Sequence, residues 1–155
     1  MRKLHSMVML GLVLAASTSV MADDVADITA AMDEHFVTFR AGDAAGHIAH
    51  HMAHTTTFGP DGSALATNDS VEEATAELQA EFDEGNKFDL RLEDLNIAVY
   101  GDTAVVTSLQ TGTVTSPDGT TYEVNDRRTS VVVRDGNEWK EVHTHISNYV
   151  EESTD

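Results

Sequence analysis

The sequence predicts an α+β fold in which three N-terminal helices cover one face of a curved antiparallel sheet. Three observations lead to this prediction. Helical periodicity marks residues 24–40, 43–53 and 70–85, alternating apolar positions follow over residues 88–150, and Asp-Gly pairs separate the alternating runs. The 155 residues are enough for one domain with a sizeable core, and no repeat or linker divides them.

The helices are predicted from the spacing of apolar residues and from the residues that begin and end a helix. The first covers residues 24–40 and ends at Gly42. A shorter helical pattern over residues 43–53 predicts a second helix, followed by a strand that enters the turn "GPDG". The third covers residues 70–85, with Ser70 as N-cap and Glu73 completing a capping box.

The remainder of the chain predicts strands joined by tight turns. The apolar alternation changes parity near Glu93 and Asp94, which predicts a β-bulge there. Further strands cover residues 103–116, 120–133 and 138–150, separated by the turns "PDG" and "DGN". A long antiparallel meander therefore follows the three helices.

The first 22 residues have the pattern of an export signal. Arg2 and Lys3 give a positive start, an apolar stretch follows, and "VMA" at 20–22 is a small-residue cleavage pattern. We expect cleavage after Ala22, a mature domain over residues 23–150, a tail at 151–155, and a periplasmic or secreted protein. An anchored N-terminal helix is the alternative interpretation, although the apolar stretch is short for a membrane span.

The composition excludes several classes of partner and chemistry. The formal net charge of −18 repels phosphate backbones and anionic lipids, so we expect no nucleic-acid partner and no membrane partner after signal removal. The sequence contains no cysteine, which excludes disulfides, thiolate metal ligands and a cysteine nucleophile.

Several motifs together resemble a known family. They are "AGD" after the first helix, "FGPDG" at 58–62, and the C-terminal run "RRTSVVVRDGNEWKEVHTHIS" at 127–147. The most specific element is an Asp-Gly turn, a Trp and a His-x-His-x-Ser motif, formed by Asp135, Gly136, Trp139, His143, His145 and Ser147. The chain resembles the nuclear transport factor 2-like superfamily, particularly its SnoaL-like branch and the association domain of calcium/calmodulin-dependent kinase II.

The resemblance covers nearly all of the mature chain and implies a cone-shaped, cystatin-like barrel with a pocket between the helices and the concave sheet. It also implies a homodimer, because members of the superfamily commonly form one. The superfamily includes ketosteroid isomerases, polyketide cyclases, dehydratases and many noncatalytic binding or assembly domains, so the fold does not select a function. One departure concerns Ile146, which stands where the kinase association domain has an arginine, and anion binding through that arginine is not carried over.

The last predicted strand contains the candidate catalytic residues. Strand alternation places Trp139, Glu141, His143, His145 and Ser147 on one face. A carboxylate beside two imidazoles suits acid/base chemistry, so His143 or His145 is the predicted catalytic base and Trp139 and Glu141 are predicted to line the pocket. The alternative is that these are structural groups on the outer or dimer face of the sheet.

Three further residues are candidates for ligand binding. Arg127 and Arg128 are neighbours on a strand, so one of them points inward and can bind a carboxylate or enolate oxygen. A surface salt bridge is the alternative for either arginine. His35 lies at the edge of the apolar stripe of the first helix, where it either reaches the pocket mouth or is a half-buried, hydrogen-bonded histidine.

The stretch "HIAHHMAH" is the weak candidate for a metal site. On a helix, His47, His50, His51 and His54 occupy a narrow arc opposite the apolar side, so we expect them to face solvent. Spacings of three and four residues let two imidazoles approach one metal ion, but a strong site needs a third ligand. We therefore predict adventitious metal binding or pH sensitivity here, and no dedicated cofactor.

The sequence supports one leading function and two alternatives. The leading prediction is an exported domain that binds a small, largely apolar organic ligand in the cone and forms a homodimer. The first alternative is an acid/base enzyme of isomerase, cyclase or hydratase type that uses His143 or His145. The second alternative is a non-catalytic homo-oligomerisation domain.

Overall fold

The computed structural model describes the backbone of residues 14–149 and the side chains of residues 23–149. Three helices precede most of the sheet: α1 (Leu14–Ala41), α2 (Ala44–Ile48) and α3 (Val71–Asp83). Residues 1–13 of the predicted export signal and the predicted tail at 151–155 lie outside the described residues. No helix in the described part of the chain is long and apolar enough to span a bilayer.

Six strands form one curved, open sheet. They are β1 (His51–Phe58), β2 (Ala66–Asn68), β3 (Lys87–Tyr100), β4 (Thr103–Thr115), β5 (Thr121–Asp135) and β6 (Glu138–Asn148). Their order in the sheet is β2-β1-β6-β5-β4-β3. Every neighbouring pair is antiparallel except β1 and β6, which run parallel. The predicted α+β layout with a long antiparallel meander is confirmed, and the short strand β2 and the parallel β1–β6 pair were not predicted.

Helix α1 packs on the concave face of the sheet and forms the core with it. Ile28 and Met32 are buried against Val106 and Val132 from the strands. Burying side chains of this size stabilises a fold by about 1.5–3 kcal/mol each. The same helix continues toward the open end of the cone, where it carries the buried side chains His35 and Phe36.

The predicted end of α1 and beginning of α3 are confirmed. Gly42 follows α1 with φ of +72°, a left-handed conformation that glycine adopts without strain. Ser70 caps α3 by accepting a hydrogen bond from the backbone N–H of Glu73 at 3.1 Å. This bond satisfies one of the free donors of the first helical turn.

The second helix is shorter than predicted. It begins after Asp43, whose carboxylate accepts a hydrogen bond from the N–H of Gly46, and it ends at Ile48. The chain then turns, and His51 is the first residue of β1. The predicted helix over 43–53 is wrong after Ile48, because the following residues pair with β6, where His51 lies opposite Glu141.

Two irregularities shape the long strands. The predicted bulge in β3 is confirmed, since the pairing of β3 with β4 shifts between Glu93 and Asn96 and Asp94 has φ of +54°. In β4, Gly112 has φ of +132° and lies opposite Leu90. A glycine in such a conformation lets the sheet bend where a side chain would not fit.

A second bulge lies in β6 and was not predicted. Glu141 pairs with Val132 and His143 pairs with Val131, so Val142 is the additional residue. One extra residue reverses the side-chain alternation of a strand. As a result, Glu141 and Thr144 are buried on the concave side, whereas His145 is exposed. The predicted common face for Glu141, His143 and His145 is therefore wrong.

Candidate functional site

A cavity of about 310 Å³ lies between α1, α2 and the concave face of the sheet. One part of its lining is aromatic and aliphatic and includes Phe36, Phe39, Phe88, Val114, Val124 and Ile146. The other part is polar and includes His35, His47, His51, Asp126, Arg128 and Glu141. The cavity therefore combines an apolar wall with a dense set of ionisable groups.

Three histidines from three different elements meet at the polar part of this cavity. The Nε2 atom of His35 is 3.0 Å from Nε2 of His47 and 2.9 Å from Nε2 of His51. His35 is 2% exposed, and its ring stacks on that of His47 with centroids 3.9 Å apart. Phe39 stacks on the ring of His47 at 4.4 Å. We call His35, His47 and His51 the histidine triad.

The histidine triad is uncharged at neutral pH. Burial lowers the pKa of His35 well below its ordinary value and that of His47 to about 3, and the neighbouring imidazoles lower both further. Burial also lowers the pKa of His51, although the Glu141 carboxylate opposes this effect. Nδ1 of His47 donates a hydrogen bond to the carbonyl of His35 at 2.9 Å, which leaves the lone pair of its Nε2 facing the other two rings.

A buried ion pair lies beside the triad. Nη2 of Arg128 donates to both carboxylate oxygens of Glu141, at 3.0 and 2.9 Å. The same guanidinium also donates to Gln110, Ser130 and Thr144. Burial alone would raise the pKa of Glu141, but the Arg128 charge and the hydroxyl donors outweigh it and hold the pKa at about 2.

Asp126 is a second buried carboxyl group in the cavity and was not predicted from the sequence. It is 7% exposed and has no ion pair or side-chain hydrogen bond among the described residues. Burial raises its pKa above the ordinary value, because the charged form loses hydration without gaining a partner. A carboxyl group of this kind, facing a cavity, is suited to accept or donate a proton.

We expect Asp126→Asn to stabilise the protein at neutral pH and to have no such effect in acid. A carboxyl whose folded pKa is raised destabilises the fold once pH rises above its unfolded pKa of about 3.9, because ionisation is harder in the folded state. Melting temperatures measured between pH 3 and pH 8 should therefore diverge as pH rises, with the Asn variant higher. A constant difference across this range would contradict the assignment.

The two histidines predicted as catalytic do not reach the cavity. His143 and His145 lie on the opposite face of β6, where their rings approach Phe58 with centroids at 6.1 and 5.6 Å. Nδ1 of His143 is 2.8 Å from the hydroxyl of Thr56. The bulge at Val142 is the reason for this placement, and the catalytic role of these histidines stays a prediction without support from the pocket geometry.

Of the two candidate arginines, Arg128 faces the cavity and Arg127 faces outward. Arg127 is exposed and donates one hydrogen bond of 3.3 Å to the carbonyl of Asn148. Trp139, predicted to bind ligand, instead packs in the core under the guanidinium of Arg134, 4.4 Å from its ring centroid. The structure places the other two predicted ligand-binding residues, His35 and Glu141, in the cavity.

The histidines of residues 47–54 divide into two groups. His47 and His51 point into the cavity, and the prediction that all four face solvent is wrong for these two. The cause is the early end of α2, which moves His51 from a helix to a strand. His54 is exposed, has φ of +62° and lies 3.6 Å from Asp69. His50 is half-buried in a separate outer cleft beside Trp139.

The geometry of the fold and the cavity agrees with a comparison against known families. The sequence profile of the SnoaL-like domain matches residues 28–151. The chain belongs to the SnoaL-like domain family. No curated protein sequence matches it. The resemblance inferred from the motifs is thereby confirmed.

Solved structures of the same fold are similar to this SnoaL-like chain. A ketosteroid isomerase-like protein from Erwinia carotovora is 20% identical, with 83% of this chain and 98% of that chain covered and a TM-score of 0.66. A nuclear transport factor 2-like protein with a cystatin-like fold from Novosphingobium aromaticivorans is 17% identical, with 94% and 95% covered and a TM-score of 0.69. A protein from Xanthomonas campestris proposed to be a calcium/calmodulin-dependent protein kinase II association domain is 17% identical, with 84% and 89% covered and a TM-score of 0.63. These similarities confirm the cystatin-like fold.

Proposed function

We propose that this SnoaL-like protein is exported and binds a small, largely apolar organic molecule in the cone-shaped cavity. The observation that carries the proposal is the two-part lining described above, with aromatic and aliphatic side chains on one side and buried polar groups on the other. Ligand sites are typically concave, mostly apolar and equipped with a few polar groups that fix orientation. A volume of about 310 Å³ is at the small end of such sites and favours a small ligand.

The charges in the cavity restrict the polar end of the ligand. Arg128 and Glu141 are paired with each other, so neither offers an uncompensated charge. Asp126 has no ion-pair partner in the described part of the chain and would repel an anion when ionised. A neutral hydroxyl or carbonyl group, able to bond to the uncharged imidazoles, therefore suits the site better than a carboxylate or phosphate.

Filling the cavity with a larger side chain should weaken ligand binding. Val124 lines the cavity from β5, so we expect Val124→Phe to weaken the binding of naphthol, a small bicycle with one hydroxyl, by about 10-fold or more. Fluorescence titration of naphthol measures the change. Val37→Phe is the matched control, because Val37 is 46% exposed on α1 and lines no described cavity. Equal affinities for the two variants would contradict the proposal, as would wild-type protein that does not bind naphthol.

Acid/base catalysis is the second candidate function. The specific observation in its favour is Asp126, a cavity-facing carboxyl with a raised pKa, opposite imidazoles that stay neutral. A raised carboxyl pKa and a neutral histidine are properties of general acids and bases. This candidate retains the isomerase, cyclase or hydratase chemistry predicted from the sequence and replaces His143 and His145 with Asp126. Incubating the protein with cyclic ketones and alcohols and analysing the mixtures for products distinguishes the two functions. An enzyme forms products, whereas a binding protein returns the compounds unchanged.

Export and homodimer formation are part of the proposal. The "VMA" cleavage pattern after a basic start and an apolar stretch supports export to the periplasm or beyond. Exposed aromatic side chains support a homodimer, since Tyr122 is 57% exposed and Phe58 is 39% exposed. A non-catalytic assembly domain is the remaining alternative, and it is favoured only by the similarity to the Xanthomonas structure.

A further inference from the structure

We propose that His35, His47 and His51 bind one divalent transition-metal ion through their Nε2 atoms. One ring nitrogen from each histidine lies within 4.8 Å of the other two, and Nε2 of His35 is 3.0 and 2.9 Å from the Nε2 atoms of His47 and His51. Each residue comes from a different element, α1, α2 and β1, so the tertiary structure assembles the site. The proposal does not depend on ligand binding in the cavity, and its test contains no organic ligand.

The separations match a zinc-like ion closely. Zinc binds imidazole nitrogen at about 2.0–2.1 Å in tetrahedral geometry, which places two ligand nitrogens about 3.3 Å apart. The observed distances from His35 are 3.0 and 2.9 Å, so the rings need to separate by only a few tenths of an ångström. The stacked rings of His35 and His47 cannot aim both in-plane lone pairs at one ion, so one ring must also turn about its side-chain bonds, and the partly exposed His47 can do so.

Hydrogen bonds alone do not satisfy the histidine triad. Nδ1 of His47 donates to the carbonyl of His35, so the Nε2 of His47 presents a lone pair. Nε2 of His35 approaches the Nε2 atoms of both His47 and His51, but a neutral imidazole nitrogen carries either one hydrogen or one lone pair. A single hydrogen on Nε2 of His35 can point along only one of the two contacts, which leaves the other without a well-directed hydrogen bond. A cation that accepts three lone pairs removes this conflict.

The surroundings supply part of the outer shell of a metal site, since Nδ1 of His47 has a hydrogen-bond partner and the buried Nδ1 atoms of His35 and His51 have none among the described residues. The bond from His47 to the carbonyl of His35 holds the hydrogen on Nδ1 and leaves Nε2 as the ligand atom, in the way that outer-shell partners set the tautomer of metal-binding histidines. The carboxylate oxygen Oε1 of Glu141 is 3.8 Å from Nε2 of His51, and its charge is shared with the guanidinium of Arg128. An all-imidazole set without thiolates suits zinc, copper or nickel. All three histidines line the cavity, so an ion bound to them would lie at the cavity wall.

Zinc titration of the chain without an affinity tag tests the proposal directly. We expect calorimetry on metal-stripped protein to show one zinc ion per chain. In nitrogen NMR spectra of the imidazoles, zinc should shift the Nε2 signals of His35, His47 and His51. The signals of His54, His143 and His145 serve as internal controls and should stay in place, because these rings lie outside the cavity. Absence of stoichiometric binding, or shifts confined to the control histidines, would overturn the proposal.

Substitutions provide the second test. We expect His47→Ala and His51→Ala each to weaken zinc affinity by about 100-fold or more, since outer-shell partners alone are worth about 10- to 100-fold. His54→Ala is the matched control from the same segment and should change affinity by less than about 3-fold, because His54 is exposed and contacts Asp69 instead. Circular dichroism checks folding, and His47→Gln replaces any alanine variant that fails it. Retained affinity in the His47 and His51 variants, or equal loss in all three, would reject the site.

Discussion

Arg128→Met is expected to destabilise the protein by about 3–5 kcal/mol, the usual cost of leaving one member of a buried ion pair without its partner. Arg128 is 8% exposed and Glu141 is 3% exposed, so solvent cannot replace the lost guanidinium. Five hydrogen bonds from the arginine side chain are lost together. Chemical denaturation followed by circular dichroism measures the free energy of unfolding.

The neighbouring arginine supplies the control for this experiment. Arg127→Met removes the same charge from an exposed position with a single 3.3 Å hydrogen bond, so its expected cost is below about 1 kcal/mol. Arg128→Met/Glu141→Gln should recover much of the lost stability, because no buried charge is left unpaired. Equal destabilisation by the two single arginine variants would show that the buried pair has no special role.

The pH dependence of the Arg128 variant follows from Glu141. In the wild type the pKa of Glu141 is about 2, below its ordinary value of 4.5. A depressed carboxyl pKa contributes stability above the unfolded pKa, and that contribution is lost as pH falls toward the folded value. Without Arg128, burial raises the pKa instead. The stability difference between wild type and Arg128→Met should therefore be largest near pH 7 and should shrink as the solution is acidified.

Gly112→Ala is expected to cost about 3 kcal/mol or more and to disturb the pairing of β3 with β4. At φ of +132° the backbone of Gly112 is in a region that other residues avoid. A Cβ atom added there would lie 2.0 Å from the carbonyl oxygen of Asp89, which is backbone and cannot rotate away. Thermal unfolding measures the loss, and naphthol binding should weaken with it, because the bend of β4 helps to shape the cavity.

Gly119→Ala separates the steric effect from the conformational one. Gly119 also has a positive φ of +86°, but nothing lies within 4 Å of an added Cβ. Its substitution should therefore cost only the conformational strain of about 1 kcal/mol. If Gly112→Ala were no more destabilising than Gly119→Ala, the close approach of β3 and β4 at this point would be disproved.

The order of helices and strands was predictable from local patterns. Ser70, Gly42 and the parity change at Asp94 are signals that depend on a few neighbouring residues, and each has its predicted place in the structure. The match to the SnoaL-like family has the same basis, because its motifs lie at turns and strand ends. Local chemistry of this kind is visible in one sequence.

The site was predicted less well, because its residues are positioned by long-range pairing. Nothing in the sequence near Ile48 indicates that the helix ends there. The pairing of His51 with Glu141, 90 residues later in the chain, determines that His51 lies in a strand. The bulge at Val142 likewise depends on the partner strand. Asp126 occurs in the polar-looking run "EVNDRR", and only its neighbours across the sheet show that it is buried.

The bulge at Val142 also selects one of two linings that the same sequence could give the cavity. Because successive side chains of a strand point to opposite faces, regular pairing of the same residues without the bulge would exchange the two sets beyond Val142. His143 and His145 would then face the cavity in place of Thr144 and Ile146. Loss of the bulge with no residue deleted would thus replace a hydroxyl and an aliphatic lining by two imidazoles. Related proteins with different chemistry in the same cone can therefore differ in strand pairing as well as in composition.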